Sequence, residues 1–339
     1  MSIFEIDPDI RKAKTLSSDF YTDERYFESS KERIFARTWQ FLGRHDEFDG
    51  LRPLTLLAAT LDEPILLAKN GDSISCFSNV CTHRGTILVE EDCPAANLIR
   101  CRYHGRRFSL DGKFLSMPEF ESVENFPSEA DDLPQIPFSN RAGFMFASFD
   151  PAAPFDAFVS GIAQFVDAAS HGLKRTATRE YEVNAHWALY CENYLEGFHI
   201  PYVHKALNGV VDYGTYSTET FRYSSLQTGF GDSREVAARY LFIFPNIMFN
   251  LYPWGISVNV VRPVSPSKTV VEFLTYVSDG SKLDDGAGAD LHGVEIEDEA
   301  VVESVQRGIR SRFYSHGRYS PTREQGTHHF HRLIAEFMK

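Results

Sequence analysis

Two short Cys/His blocks constrain this chain more than any other feature. Cys81-Thr82-His83-Arg84-Gly85 is followed by Cys101-Arg102-Tyr103-His104-Gly105, with 17 residues between His83 and Cys101. Each half offers one thiolate and one imidazole and ends in a glycine that permits a tight backbone turn. A zinc finger would pair Cys with Cys and His with His, so this spacing does not fit one. Two thiolates and two imidazoles on paired loops suit a binuclear iron–sulfur centre. There the cysteines hold one iron and the histidines the other, which raises the reduction potential above that of an all-Cys cluster. Four matched positions and two glycines leave little room for the bland reading, two buried Cys beside two incidental His.

The texture around these blocks is β-like. Residues 1–42 read as largely helical, with Asp23-Glu24-Arg25-Tyr26-Phe27 leading into Glu32 to Trp39. From 43 to 150 the chain turns to short apolar runs broken by Asn70-Gly71 and Asp111-Gly112, both hairpin signals. Phe144 to Phe149 reads as a closing strand, and Asp150-Pro151-Ala152-Ala153-Pro154 as a boundary. Residues 151–339 mix helices with long strands, an α+β pattern. Tyr240 to Val261 carries no charge over 22 residues, long enough to span a bilayer. Its prolines, asparagines and β-branched residues argue for two buried strands around Tyr252-Pro253-Trp254-Gly255. No membrane association is therefore expected. A net charge of -13 speaks against a nucleic-acid partner. The charged first residues lack the apolar stretch of a signal peptide, so a cytoplasmic protein is expected.

A second constellation lies at Glu192-Asn193-Tyr194-Leu195-Glu196-Gly197-Phe198-His199-Ile200-Pro201-Tyr202-Val203-His204. On a continuous helix Cys191, Leu195 and Phe198 form an apolar stripe, while Glu192, Glu196 and His199 share another face. Pro201 should end or kink that helix and let His204 swing round beside His199. Two imidazoles with nearby carboxylates suit a 2-His-1-carboxylate site, whose open positions accept dioxygen at ferrous iron.

With both constellations in order, the chain resembles the catalytic α subunit of a Rieske non-heme iron oxygenase over nearly its whole length. The resemblance implies an α+β fold: an N-terminal Rieske antiparallel β domain (43–150), and a helix-grip-like catalytic domain with a curved antiparallel sheet (151–339). Residues 1–42 would pack on the latter. It implies Cys81, His83, Cys101 and His104 as ligands of a [2Fe-2S] cluster, and His199 and His204 as ligands of a mononuclear Fe(II). Glu196 stands where the family commonly has Asp. It would bridge a cluster histidine of one subunit to an iron histidine of its neighbour in a head-to-tail homotrimer, as the electron route. Glu at this position resembles the branch acting on quaternary ammonium compounds, the choline, glycine betaine and carnitine oxygenases.

The resemblance further implies a third iron ligand, a carboxylate far downstream, and the candidate segment is Glu295 to Ile309. Val302, Val305, Ile309 and Phe313 make an inward helical stripe with Asp298 on it; Glu295 lies near it, while Glu297, Glu299 and Glu303 point away. Asp298 is the chosen ligand, with Glu295 as the alternative; acids suiting a helix N-terminus are the competing explanation. Phe198, Tyr202, Phe249 and Trp254 are candidate pocket aromatics, since ring faces suit a quaternary cation, although core packing is the default for them. Cys76, Cys93 and Cys191 read as buried thiols and His186 as a satisfied core histidine. His328, His329 and His331 read as part of a C-terminal helix with a mixed surface.

The implied reaction is O2-dependent hydroxylation of a small organic substrate, collapsing as a dealkylation where the hydroxylated carbon bears nitrogen or oxygen. No dinucleotide-binding glycine pattern is present, so NAD(P)H electrons would arrive from a separate reductase, directly or through a ferredoxin. Two other functions share these motifs. One is an aromatic-ring hydroxylating dioxygenase or O-demethylase; the other is a Rieske electron-transfer protein without oxygen chemistry.

Overall fold

The computed structural model describes residues 4–204, 212–231, 235–283 and 288–339. The chain forms two compact units, Trp39–Pro151 and a second built from Met1–Thr38 with Ala152–Lys339. The expected α+β architecture is what the chain adopts.

The Trp39–Pro151 unit is all β, in three small antiparallel sheets. Its strands are β1 (Gln40–Arg44), β2 (Leu51–Leu56), β3 (Glu63–Asn70), β4 (Ser73–Ser78), β5 (Ile99–Arg100), β6 (Arg107–Phe108), β7 (Phe114–Ser116), β8 (Phe138–Arg141) and β9 (Phe144–Ala147). Strand order is β1-β9-β8, β2-β3-β4 and β5-β6-β7. The two glycine turn signals sit where strands reverse: Gly71 between β3 and β4, Gly112 between β6 and β7, at φ +60° and +81°. Strand β3 organises the core because its alternating side chains serve both faces. Leu66 and Ala68 pack with Cys81, Leu88, Cys101 and Phe108, whereas Ile65 and Leu67 pack with Met145 and Ala147. The helical reading of residues 1–42 stops short: Gln40–Arg44 is strand β1, paired with β9.

The other unit starts with α1 (Ser18–Thr22) and α2 (Glu24–Ser30) and resumes with α3 (Phe155–Phe158) and α4 (Ala163–Ala169). It continues through β10 (Lys174–Val183), α5 (Trp187–Tyr194), α6 (Ile200–Val203), β11 (Ser217–Thr220), β12 (Ser224–Phe230), β13 (Val236–Ile243), β14 (Ile247–Tyr252), β15 (Gly255–Ser265) and β16 (Lys268–Val277). Helices α7 (Leu291–Gly308) and α8 (Gln325–Met338) complete it. The strands form one seven-stranded antiparallel sheet, β10-β16-β15-β14-β13-β12-β11. Tyr240 to Val261 is its centre, although in three strands rather than two. A first turn through Phe244-Pro245-Asn246 joins the expected one at Pro253-Trp254. No helix among the described residues is long and apolar enough to cross a membrane.

Register across the sheet decides what faces the helices. Tyr240 pairs with Asn250 and Asn250 with Ser257, while Met248 pairs with Asn259 and Asn259 with Phe273. Side chains alternate along each strand, so these two rows share one face and Phe249 falls on the other. Helix α5 packs against β15 and against α7, which also meets edge strand β10.

His186 caps α5, its Nδ1 accepting from Ala188 N at 3.3 Å, and lies among Phe20, Tyr21, Phe27 and Trp187. Burial pushes its pKa from 6.5 down to about 3. A histidine lowered on folding stabilises the fold above its unfolded pKa and gives that up as pH falls from 6.5 toward 3. His186→Asn keeps a capping oxygen, and its unfolding free energy should lose about 1.4 kcal/mol less per pH unit across that window. Identical pH slopes in urea titrations of the two proteins would refute this.

Candidate active site

The two Cys/His blocks form matching loops in the β unit. Gly85 N donates to Cys81 O at 3.0 Å and Gly105 N to Cys101 O at 3.1 Å, closing the same turn twice. The glycines have φ of +70° and +75°, the left-handed region that a β-carbon makes costly. Both thiols are buried and within hydrogen-bond reach of one another. The imidazoles of His83 and His104 stand side by side, half-buried, with centroids 4.8 Å apart. His104 Nδ1 is buried and has no hydrogen-bond partner among the described residues. A buried lone pair without a proton donor is what a metal ligand leaves when read without its metal. The donor set therefore fits a cluster held by two sulfurs and two nitrogens.

Beneath the loops Arg106 is buried against the rings of Phe108, Phe114 and Phe126. Its Nη2 donates to Asp131 Oδ1 at 2.7 Å and to Asp131 O at 3.0 Å, while Thr82 Oγ1 donates to the same carbonyl at 2.8 Å. Asp131 thus ties one loop to the other, which no spacing in the sequence signalled. Arg106→Leu should destabilise this unit by about 3 kcal/mol, since it strands the other half of a largely buried pair. Thermal loss of the cluster's absorbance measures it; an unchanged midpoint would contradict the clamp.

In the second unit, α5 ends at Tyr194 and does not run on to Pro201. Leu195 closes its last turn, and the Glu196 side chain starts a new one, Oε2 accepting from Phe198 N and from His199 N. Gly197 is required here, because a β-carbon would come within 2.7 Å of the Tyr216 ring. Pro201 therefore sits in the first turn of α6, where its missing N–H costs nothing. The break separates the residues expected on one helical face. Glu192 turns away to Tyr21 Oη (2.7 Å) and His331 Nε2 (3.0 Å), whereas His199 and His204 come together with ring centroids 5.0 Å apart.

Opposite them α7 brings Asp298. Its Oδ1 lies 3.0 Å from His204 Nε2 and 3.5 Å from His199 Nε2, and the three ligand atoms fall within 4.8 Å of one another. The outer nitrogens are both engaged by carboxylates. Glu196 Oε1 is 2.7 Å from His199 Nδ1, and Glu297 Oε2 is 2.7 Å from His204 Nδ1. Each imidazole is thereby fixed with Nε2 inward, the orientation that metal-binding histidines take from such partners. The set fits a ferrous ion with two histidines and one carboxylate.

Two further residues were given no role by the sequence, although Asn193 lies inside the second constellation. Asn193 Nδ2 donates to Asp298 Oδ1 at 2.6 Å and Tyr190 Oη to Glu295 Oε2 at 2.6 Å, stitching α5 to α7. The spacing 190/193 against 295/298, three residues on each helix, was the available signal.

Helix α7 differs from its expected stripe. Val302 and Ile309 are buried, but Val305 is 42% and Phe313 93% exposed, and the inward face is completed by Glu295 and Gln306. Gln306 Oε1 accepts from His186 N, so a polar residue there is satisfied. Glu297, expected to point away, is the partner of His204. Glu303 is bound to Asn184.

A cavity opens beside the three ligands, lined in part by Tyr194, Tyr216, Tyr240, Tyr252, Asn250 and Phe273. Of the aromatics proposed for it none lines it. Phe249 lies on the opposite sheet face, Trp254 stacks behind Tyr252 with centroids 5.1 Å apart, and Phe198 and Tyr202 are at the surface. Cys76 and Cys191 are buried as expected, but Cys93 is exposed. His331 lies inside, held by Tyr319, rather than on a mixed surface.

Residues 38–127 match the Rieske [2Fe-2S] domain family, and residues 215–339 the ring hydroxylating alpha subunit (catalytic domain) family. The chain is 31% identical to the chloroplastic choline monooxygenase of Arabidopsis thaliana, covering 99% of this chain and 86% of that one. It belongs to the Rieske oxygenase catalytic subunits. The oxygenase is also 29% identical to the carnitine monooxygenase oxygenase subunit of Escherichia coli K12, over 97% and 95% of the two chains. The crystal structure of the quaternary ammonium Rieske monooxygenase CntA superposes with a TM-score of 0.83 at 27% identity, covering 99% of each. The oxygenase is accordingly an oxidoreductase that uses a Rieske cluster, a mononuclear iron, dioxygen and NAD(P)H electrons passed on by a separate reductase. A matched catalytic domain sets aside the electron-carrier alternative.

Proposed function

We propose that this oxygenase hydroxylates a small quaternary ammonium compound in the tyrosine-lined cavity beside His199, His204 and Asp298. The observation that carries the reading is the wall itself. Tyr240, Tyr252, Phe273 and Tyr194, from β13, β14, β16 and α5, line the same cavity as the three ligands. A quaternary cation has no hydrogen to donate, so aromatic faces are its natural recognition surface. Relatives at about this distance bear names for choline and carnitine chemistry, which supports the same class. An aromatic ring as substrate has no comparable support.

In this reading Cys81, His83, Cys101 and His104 would hold the cluster, and His199, His204 and Asp298 the iron. When bound, the cluster relays electrons and the ferrous iron makes dioxygen reactive, so that one oxygen atom enters the substrate and the other leaves as water. The chain's own part is positional. Glu196 and Glu297 fix the imidazoles, Asn193 holds the Asp298 carboxylate, and the tyrosine wall presents one carbon of the cation and excludes bulk water.

Glu196 is further proposed as the link to a cluster histidine of a neighbouring subunit, in a head-to-tail homotrimer. Beside it Phe198 and Tyr202 are exposed, Tyr202 at 77%, and Tyr103, which stacks on His104, is exposed too. Such aromatic patches are the usual mark of an interface. A single-turnover experiment tests the reaction. Chemically reduced enzyme exposed to oxygen with choline or carnitine should yield hydroxylated or dealkylated product. Ring-hydroxylated product from benzoate alone would overturn the reading.

A further inference from the structure

Among the described residues three carboxylates line the cavity, and Glu295 is the one that the chemistry above leaves without a task. It is only 3% exposed, one turn before Asp298 on α7. Oε2 accepts from Tyr190 Oη at 2.6 Å; Oε1 is buried and has no hydrogen-bond partner among the described residues. Glu295 is not in the set that converges on the histidines, so the alternative ligand role does not account for it.

A carboxylate in such a place is expensive. Burial, with Asp298 and Glu299 adding to it and Tyr190 opposing it, pushes the carboxyl up to about 8. Glutamine would fill the same volume without that cost. A quaternary cation seated beside it opposes that rise and favours the ionised form, and the carboxylate then offers a full counter-charge that an amide does not, worth most where water is excluded. The tyrosines that line the same cavity attract a cation too, but they also pack against a neutral group of the same shape.

We propose that Glu295 is the specificity-determining counter-charge for the substrate's quaternary nitrogen. It draws the trimethylammonium end into the cavity and rejects neutral molecules of the same shape. This rests on the quaternary ammonium reading and adds to it the residue that selects charge.

The test is calorimetric binding to the iron-loaded, anaerobic oxygenase. Choline and carnitine are each compared with the analogue carrying a tert-butyl group in place of trimethylammonium. Wild type should prefer the cation by roughly tenfold or more, and Glu295→Gln should lose that preference while binding the neutral analogue as before. Iron content and melting temperature of the variant confirm an intact site. If it fails to fold or to keep iron, Tyr190→Phe is used instead. It removes the donor that favours the ionised carboxyl, and should weaken cation binding several-fold without touching the neutral analogue. A variant that keeps the wild-type cation preference overturns the role of Glu295 and leaves the substrate class standing. Wild type that prefers the neutral analogue, or binds neither cation, overturns both.

Discussion

Asp298→Ala should purify with about two irons per chain where the wild type holds about three, since the cluster keeps its ligands and the mononuclear site loses its only carboxylate. The Rieske absorbance should be unchanged, and hydroxylation should fall below detection, by about a thousandfold or more. The expectation follows from how the site is built. Asp298 Oδ1 is the atom that both inward nitrogens face, at 3.0 and 3.5 Å, and Asn193 holds it there. Among the described residues no other carboxylate near the histidines is placed to step in: Glu295 is tied to Tyr190, Glu196 to the outer nitrogen of His199 and Glu297 to that of His204. Metal analysis beside the visible spectrum decides it. Three irons in an active Asp298→Ala protein would remove the residue from the site.

Glu196→Gln should give the second large effect, of a different kind. The amide keeps volume and an oxygen for His199 Nδ1–H, so cluster, iron and substrate binding should survive. Oxidation of the reduced cluster on mixing with substrate and oxygen should slow by about a hundredfold, the upper range for altering an outer-shell carboxylate of a metal ligand. The charge is what the substitution removes, and Glu196 carries several duties at once. It holds His199 through Oε1, and through Oε2 it starts the turn that places the ring. Stopped-flow absorbance of the cluster is the readout. Wild-type oxidation kinetics in this variant would take Glu196 off the electron route.

Legibility in the sequence followed locality. The cluster loops could be read because each half is a self-contained turn, with its Cys, His and left-handed glycine inside five residues. His199 and His204 could be paired because Pro201 marks a break, although the break lies earlier than helical periodicity suggests. There the Glu196 side chain outcompetes the continuing helix for backbone N–H groups. The cavity wall was not legible. Whether Phe249 or Asn250 faces the ligands depends on strand register, and one unrecognised turn at Pro245 changes which strand each residue belongs to. Helix α7 misled for a related reason. Its inward face carries Glu295 and Gln306, polar residues whose partners come from far away in the chain, so an apolar stripe extended past Ile309 ran into solvent at Phe313.

The central claim is an iron held by His199, His204 and Asp298 whose open position faces a quaternary ammonium site. Anaerobic EPR of the ferrous, iron-replete protein with nitric oxide standing in for dioxygen tests it without any reductase. The account predicts a high-spin ferrous nitrosyl signal that changes on adding choline or carnitine and stays as it was with benzoate. No nitrosyl signal, or one that responds to benzoate alone, would contradict it.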